Sequence, residues 1–216
     1  MVVEDIINRG ISVRGERREV TILFADLIGF TAMSEQLEPE WVVRVLNGYF
    51  RAMSQAVTRH NGHVAKFMGD GIMALFGAPE PNPWQTMDAV RAALEMRNTL
   101  AQYNDQLRAE EREPLTIAVG VHVGPVVAGV VGSTQLVEYT VIGDVVNTAS
   151  RIERLTRHFG KDILISAAVQ QRIDDRFVVR AMEPVAVKGK SELLQTFAVD
   201  TYREDSQAPA PSHEPT

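Results

Sequence analysis

The chain has no cysteine in its 216 residues. That excludes a disulfide framework, thiolate zinc sites and a cysteine nucleophile, and leaves any metal to oxygen or nitrogen ligands. It also lacks an apolar run long enough for a membrane-spanning helix, and no charged-then-apolar leader follows Met1, so neither a span nor a signal peptide is expected. Positive charge is in short supply: 22 Lys and Arg stand against 28 Asp and Glu, a formal net charge of −6. Nucleic-acid binding needs a broad basic footprint and is not expected, so a phosphate-bearing ligand must be held by a few placed cations or by a metal. No internal repeat is visible. What is there, 45% hydrophobic content over this length, suffices to bury one sizeable core, and one soluble, cytoplasmic domain is the expectation.

Residues 1–18 carry mixed charge around "RGERRE" and read as a lead-in or connector. Residues 201–216, "TYREDSQAPAPSHEPT", are polar and proline-rich with little to bury, and read as a disordered tail. The folded unit is drawn over 19–200. Within it, "VTILFAD" is a strand pattern ending at Asp26. A helix follows from Pro39, with Val42, Val45, Leu46, Tyr49, Met53, Ala56 and Val57 at helical spacing and "HNG" at 60–62 as its stop. "KFMGDGIMALFG" reads as a hairpin, and Trp84 to Arg108 as a second long helix. "LTIAVGVHVG" reads as one strand, "VVAGVVG" with "VEYTVIG" as a pair, and 144–158 as a third helix. "DILIS", "RFVVRA", "VAVKG" and "LLQTFAVD" close the unit as short strands. This order is that of an α+β domain with helices packed on a largely antiparallel sheet.

Two carboxylates stand out. Asp26 ends an almost wholly apolar strand and leads into a glycine-containing turn, a place suited to a metal and its phosphates, to a helix cap, or simply to solvent. Asp70 sits in Gly-Asp-Gly between apolar runs, where a turn and a metal ligand are both served. If the two strands meet, the carboxylates repel by about 4 kcal/mol at 4 Å and an effective dielectric of 20, and a divalent cation is the natural compensation. Hard oxygen ligands point to Mg²⁺ or Mn²⁺. In "YTVIGDVVNTASRIERL", Asp144 is the expected helix cap, with Val145, Ala149, Ile152 and Phe159 as the apolar stripe. Asn147, Arg151, Arg154 and His158 fall on the opposite face. Such a face is either the wet side of a helix or, with Asn147 and Arg151 one turn apart, a clamp for a ribose oxygen and a phosphate. Lys66 is unusual in an apolar strand and Lys188 lies in "VAVKGKSE", where glycine lets the backbone come close to a ligand; taken alone, each reads as a surface lysine with a buried stem.

Taken jointly, "VTILFADLIGFT", "VAKFMGDGIMALFG", "EYTVIGDVVNTASRIE" and "VKGKSELLQTF" resemble the class III nucleotidyl cyclase catalytic domain, in that family's order and over nearly all of the folded unit. The resemblance implies a ferredoxin-like, palm-type sheet and a head-to-tail homodimer whose two active sites are each built from both chains. It implies ATP as substrate, with 3′,5′-cyclic AMP and pyrophosphate as products, and two Mg²⁺ or Mn²⁺ ions per site on Asp26 and Asp70. From the partner copy, Lys66 and Thr140 would face the purine, Asn147 the ribose, Arg151 the α-phosphate and Lys188 the terminal phosphates. The loop of Leu27, Ile28, Gly29, Phe30 and Thr31 would offer amides to the β- and γ-phosphates. Most adenylyl members place aspartate where Thr140 stands, and the threonine is similar to the bicarbonate-responsive subclass. Guanylyl members carry glutamate and a small residue such as cysteine at the positions of Lys66 and Thr140. The rival readings are a guanylyl cyclase and a non-catalytic nucleotide-binding or dimerisation module. An upstream sensor domain in a longer, membrane-tethered chain and bicarbonate as a regulator complete the expectations.

Overall fold

The structure, a computed structural model, describes residues 15–132, 137–186 and 193–203. The chain opens with strand β1 (Glu16–Leu27), a five-residue helix α1 (Phe30–Ser34) and helix α2 (Pro39–Arg59). The hairpin β2 (His63–Met68) and β3 (Gly71–Phe76) leads to helix α3 (Gln85–Ala109). Then come β4 (Ile117–Gly132), β5 (Val137–Ile142) and helix α4 (Asp144–Phe159). The rest is β6 (Ile163–Ser166), the short helix α5 (Ala167–Gln170), β7 (Phe177–Ala181) and β8 (Thr196–Tyr202). The described strands form one sheet in the order β2, β3, β1, β4, β6, β8, β7, with β5 paired to β4. Every pairing among them is antiparallel except β4 with β6, which is the α+β arrangement expected.

β1 reads as a nearly continuous apolar run because both its faces are covered. Leu23, Ala25 and Leu27 turn toward α2 and α3, packing with Val45, Tyr49, Met53, Val90 and Ala93. Val20 and Ile22 turn the other way, to Val145 and Ala149 of α4 and to Tyr139 and Val141 of β5. By alternation Asp26 belongs to this second face. Helix α2 starts at a proline in its first turn and stops where Asn61 takes a left-handed φ of 58°, as the "HNG" stop anticipates.

Three expectations need correction. The strands drawn separately over 115–124 and 126–132 are one strand, β4: Pro125 sits in register opposite Glu19, and its fixed φ is compatible with extended backbone. Of the strand drawn over 185–189, Val185 forms an isolated bridge with Leu194, and residues 187–189 lie outside the described residues. Helix α4 is capped by Gly143, and Asp144 is its first residue. The ordered unit is also slightly longer than 19–200, since β1 begins at Glu16 and β8 ends at Tyr202. Tyr202 is anchored there by the Phe177 ring, 4.8 Å away, and by the guanidinium groups of Arg91 and Arg176 at 4.9 and 5.3 Å.

Candidate functional site

The β2–β3 turn is made by Gly69 and Asp70, with Met68 paired to Gly71 across it. Gly69 takes the positive φ the turn requires, 62°, while Asp70 is not among the positive-φ residues. The backbone therefore makes no demand for aspartate at position 70. Its carboxyl group points to Asp26: burial first, then the negative charge of Asp26 and a hydrogen bond shared with it, raise the Asp70 pKa above the ordinary carboxylate value. Backbone hydrogen bonds at Asp70 itself and at Leu27 partly oppose that shift. Ala25 is in register with Ile72, so the end of β1 and the hairpin tip meet, and Asp26 Oδ1 lies beside Gly71.

Helix α4 reaches the same place from above. Gly120 of β4 lets it lie directly on the sheet: a Cβ there would collide with the backbone nitrogen of Glu153 and come within 2.8 Å of the Ala149 carbonyl. This contact carries Arg157 to the end of β1, where Nη2 donates to Asp26 Oδ2 at 2.8 Å while Nη1 donates to Glu153. Glu153 is buried, and burial pushes its carboxyl pKa up against the opposing effect of Arg157. The Tyr49 hydroxyl, fully buried and without a hydrogen-bond partner among the described residues, is also pushed up, by burial and then by the charges of Asp26, Asp70 and Glu153. Neither Arg157 nor Glu153 was singled out from the sequence.

The loop expected over 27–31 is partly helical. Phe30 and Thr31 are not loop but the first turn of α1, entered through Gly29 at φ 75° with no side-chain cap. Ile28 already donates its amide to the Thr116 carbonyl at 2.8 Å, and the Leu27 amide hydrogen bonds to Asp70. No hydrogen bond from the amides of Gly29, Phe30 and Thr31 is recorded among the described residues.

A second group forms elsewhere. The β4–β5 ribbon curls over the α4-side face, packing Tyr139 and Val141 with Met73 and Leu75 of β3. The alternate residues of β5, Glu138 and Thr140, then face outward, and Glu138 Oε1 comes within 2.9 Å of Lys66 Nζ on β2, as an ion pair rather than an aligned hydrogen bond. Lys66 is thus held by a carboxylate the sequence reading passed over, two residues along β5 from Thr140. On α4, Asn147 is exposed; Arg151, one turn on, has Nη1 4.0 Å from Asp144 Oδ1 and no hydrogen-bond partner for that nitrogen among the described residues. Lys188 lies outside the described residues. No hydrogen bond or ion pair recorded among the described residues joins the Asp26–Asp70 group to Lys66, Thr140, Asn147 or Arg151.

The carboxylate pair suits a hard divalent cation: the donors are both oxygen, and burial first and the charge of Asp26 second raise the Asp70 pKa, both costs of a negative charge that a cation would offset. Among the described residues no group of three or more His, Cys, Asp or Glu side chains is gathered for a metal, so backbone, phosphate or water oxygens must complete any coordination shell.

Comparison with known proteins gives a consistent picture. The adenylate and guanylate cyclase catalytic domain family matches residues 13–201. An adenylate cyclase of Anabaena cylindrica is 39% identical over 189 residues, covering 84% of this chain and 37% of that protein. Adenylate cyclase 1 of Rhizobium meliloti is 35% identical, covering 85% of this chain and 28% of that protein. The chain thus spans well under half the length of these curated relatives. Among solved structures, the adenylyl cyclase CyaB from P. aeruginosa superposes with a TM-score of 0.83 at 33% identity, covering 89% of this chain and 98% of that one. The guanylyl cyclase Cya2 superposes with a TM-score of 0.82 at 38% identity, covering 89% and 96%. With the match running through β1, the Asp70 hairpin and α4, this chain belongs to the adenylate and guanylate cyclase catalytic domain family.

Proposed function

We propose that the domain is an adenylyl cyclase that converts ATP to 3′,5′-cyclic AMP and pyrophosphate in two sites shared across a homodimer. The observation that supports the reading is that Asp26 and Asp70 meet at the ends of β1 and the hairpin, while no hydrogen bond or ion pair among the described residues joins them to Lys66, Thr140, Asn147 or Arg151; in this reading the first pair is an acidic half-site and the second set a base-facing one. A second copy turned head to tail would set one half against the other. Exposed Phe67 and Met68 on β2 and Val127, Val131 and Ile142 on the β4–β5 ribbon form an apolar surface consistent with such a contact.

In this reading Asp26 and Asp70 of one copy hold two Mg²⁺ or Mn²⁺ ions, which when bound supply Lewis-acid activation of the ribose 3′-hydroxyl and neutralise charge on the departing pyrophosphate. The amides of Gly29, Phe30 and Thr31 receive the β- and γ-phosphates. From the other copy, Lys66 donates to adenine N1 and the Thr140 hydroxyl accepts from the exocyclic amine. Asn147 fixes the ribose, and Lys188 meets the terminal phosphates. Arg151, whose Nη1 has no hydrogen-bond partner among the described residues, stabilises charge at the α-phosphate as the 3′-hydroxyl gives its proton to solvent, its oxygen bonds to phosphorus and the bond to pyrophosphate breaks. Nucleophile and electrophile belong to one molecule, so the protein's main contributions are positioning and charge.

GTP is the competing substrate, favoured by the 38% identity to the guanylyl cyclase Cya2. Lys66 argues against it, because the guanine-reading role in the resembling family falls to glutamate. A cytoplasmic setting, an upstream sensor and bicarbonate regulation belong to the same proposal. The test is product analysis with ATP or GTP plus Mn²⁺, with and without bicarbonate at fixed pH. Cyclic AMP and pyrophosphate in preference to the guanine products are expected; absence of both cyclic nucleotides returns the domain to a non-catalytic binding module.

A further inference from the structure

Arg157 has no part in the reaction scheme above, yet it is bonded to the first of the two proposed metal ligands. Nη2 lies 2.8 Å from Asp26 Oδ2, and its other terminal nitrogen is held by the buried Glu153. Asp26 Oδ1 stays on the Gly71 side, toward Asp70. The guanidinium therefore already supplies the compensating positive charge that two adjoining carboxylates demand. On its far side a cleft of about 570 Å³ opens, lined by Ile28, Arg97, Lys161, Asp162 and Asp200 as well as Arg157 itself. The arginine has both room to withdraw and acidic partners to meet there, Asp162 being shared with Arg97 at 3.3 Å and Asp200 with Arg180 at 3.0 Å.

We propose that Arg157 is a built-in counter-cation for Asp26 that keeps the affinity of the carboxylate pair for a free divalent ion low, and that it withdraws into this cleft when a cation takes its place. This rests on the reading of Asp26 and Asp70 as metal ligands. Its consequence is order: a divalent ion binds well only when the nucleotide's phosphates come with it, since a lone ion must displace a positive charge already seated.

The test measures Mn²⁺ binding to the full chain without nucleotide, by loss of the free-ion electron paramagnetic resonance signal, with folding checked by circular dichroism. Arg157→Gln is expected to bind Mn²⁺ about tenfold more tightly than the unaltered chain, a shift of about 1.4 kcal/mol, and Arg157→Lys, which keeps the charge, to stay close to it. Glu153→Gln frees Arg157 to serve Asp26 alone and is expected to weaken binding; it carries the comparison if Arg157→Gln fails to fold. Equal or weaker binding by Arg157→Gln overturns the proposal. Asp70→Asn separates the two levels: loss of Mn²⁺ binding there with no gain in Arg157→Gln refutes the counter-cation alone, whereas undiminished binding in Asp70→Asn removes the metal reading and this inference with it.

Discussion

Lys66 shows how one side chain's role depends on a neighbour that no local pattern reveals. An ammonium group in an apolar strand is either a solvated stem or a ligand contact, and Glu138 at 2.9 Å settles where its charged end is held. The pair is half-exposed, so it adds little to stability; its effect is to direct the ammonium toward the face that Thr140 shares. Converting the base preference to guanine by Lys66→Glu with Thr140→Cys would leave two carboxylates face to face. We expect that double variant to turn GTP over poorly and the further change Glu138→Gln to raise its kcat/KM for GTP about tenfold, the effect of removing roughly 1.4 kcal/mol of repulsion. Steady-state kinetics with both nucleotides checks it. If the third substitution leaves GTP turnover unchanged, Glu138 does not govern the base site.

In the proposed scheme helix α4 serves both halves of the site: it bears Asn147 and Arg151, assigned to the ribose and α-phosphate, and it carries Arg157 to Asp26. Its seat on the sheet is Gly120, where a methyl group would meet the backbone at Glu153 and Ala149 rather than a side chain able to turn aside. Gly120→Ala is expected to lower stability by about 1–3 kcal/mol, the usual range for overpacking. Turnover should fall further than the unfolded fraction explains, because a lifted helix moves Asn147, Arg151 and Arg157 together. Chemical denaturation beside kcat at a temperature where the variant is fully folded separates the two effects; kcat unchanged in the folded variant would show that the seat is structural only. The helix itself was legible in the sequence, because its apolar stripe has the right period and Gly160 ends it in the left-handed region at φ 59°. Asp26 and Asp70 were legible as well, each interrupting an apolar strand pattern at its end. Arg157 was not: it lies off the Asn147–Arg151 stripe, and its contact exists only because α4 crosses the end of β1, which no local spacing encodes. Glu138 was hidden for a similar reason, as its nearness to Lys66 arises from the curl of the β4–β5 ribbon. The α1 turn is too short for periodicity to show, and Gly124 with Pro125 punctuated β4 in sequence without breaking it in space.

For the whole molecule, the separation of the two groups within one copy has a consequence that a self-contained site would not produce. If each active site draws Asp26 and Asp70 from one chain and Arg151 from the other, then Asp70→Ala and Arg151→Ala each disable both sites of their own homodimer. Mixed, they form a heterodimer in which one site collects both defects and the other collects neither. Random exchange makes half the dimers heterodimers with one intact site apiece, so about a quarter of the unaltered activity should return. Recovery should require time for subunits to exchange, and it should fade on dilution together with the activity of the unaltered protein, since the proposed interface rests on the moderate apolar surface of Phe67, Met68, Val127, Val131 and Ile142. The measurement is cyclic AMP formation in mixtures of the two purified variants across protein concentration. Two dead variants that stay dead when mixed, while size-exclusion chromatography shows that dimers form and exchange, would mean that each chain completes its own site, and the proposed division into half-sites would fall.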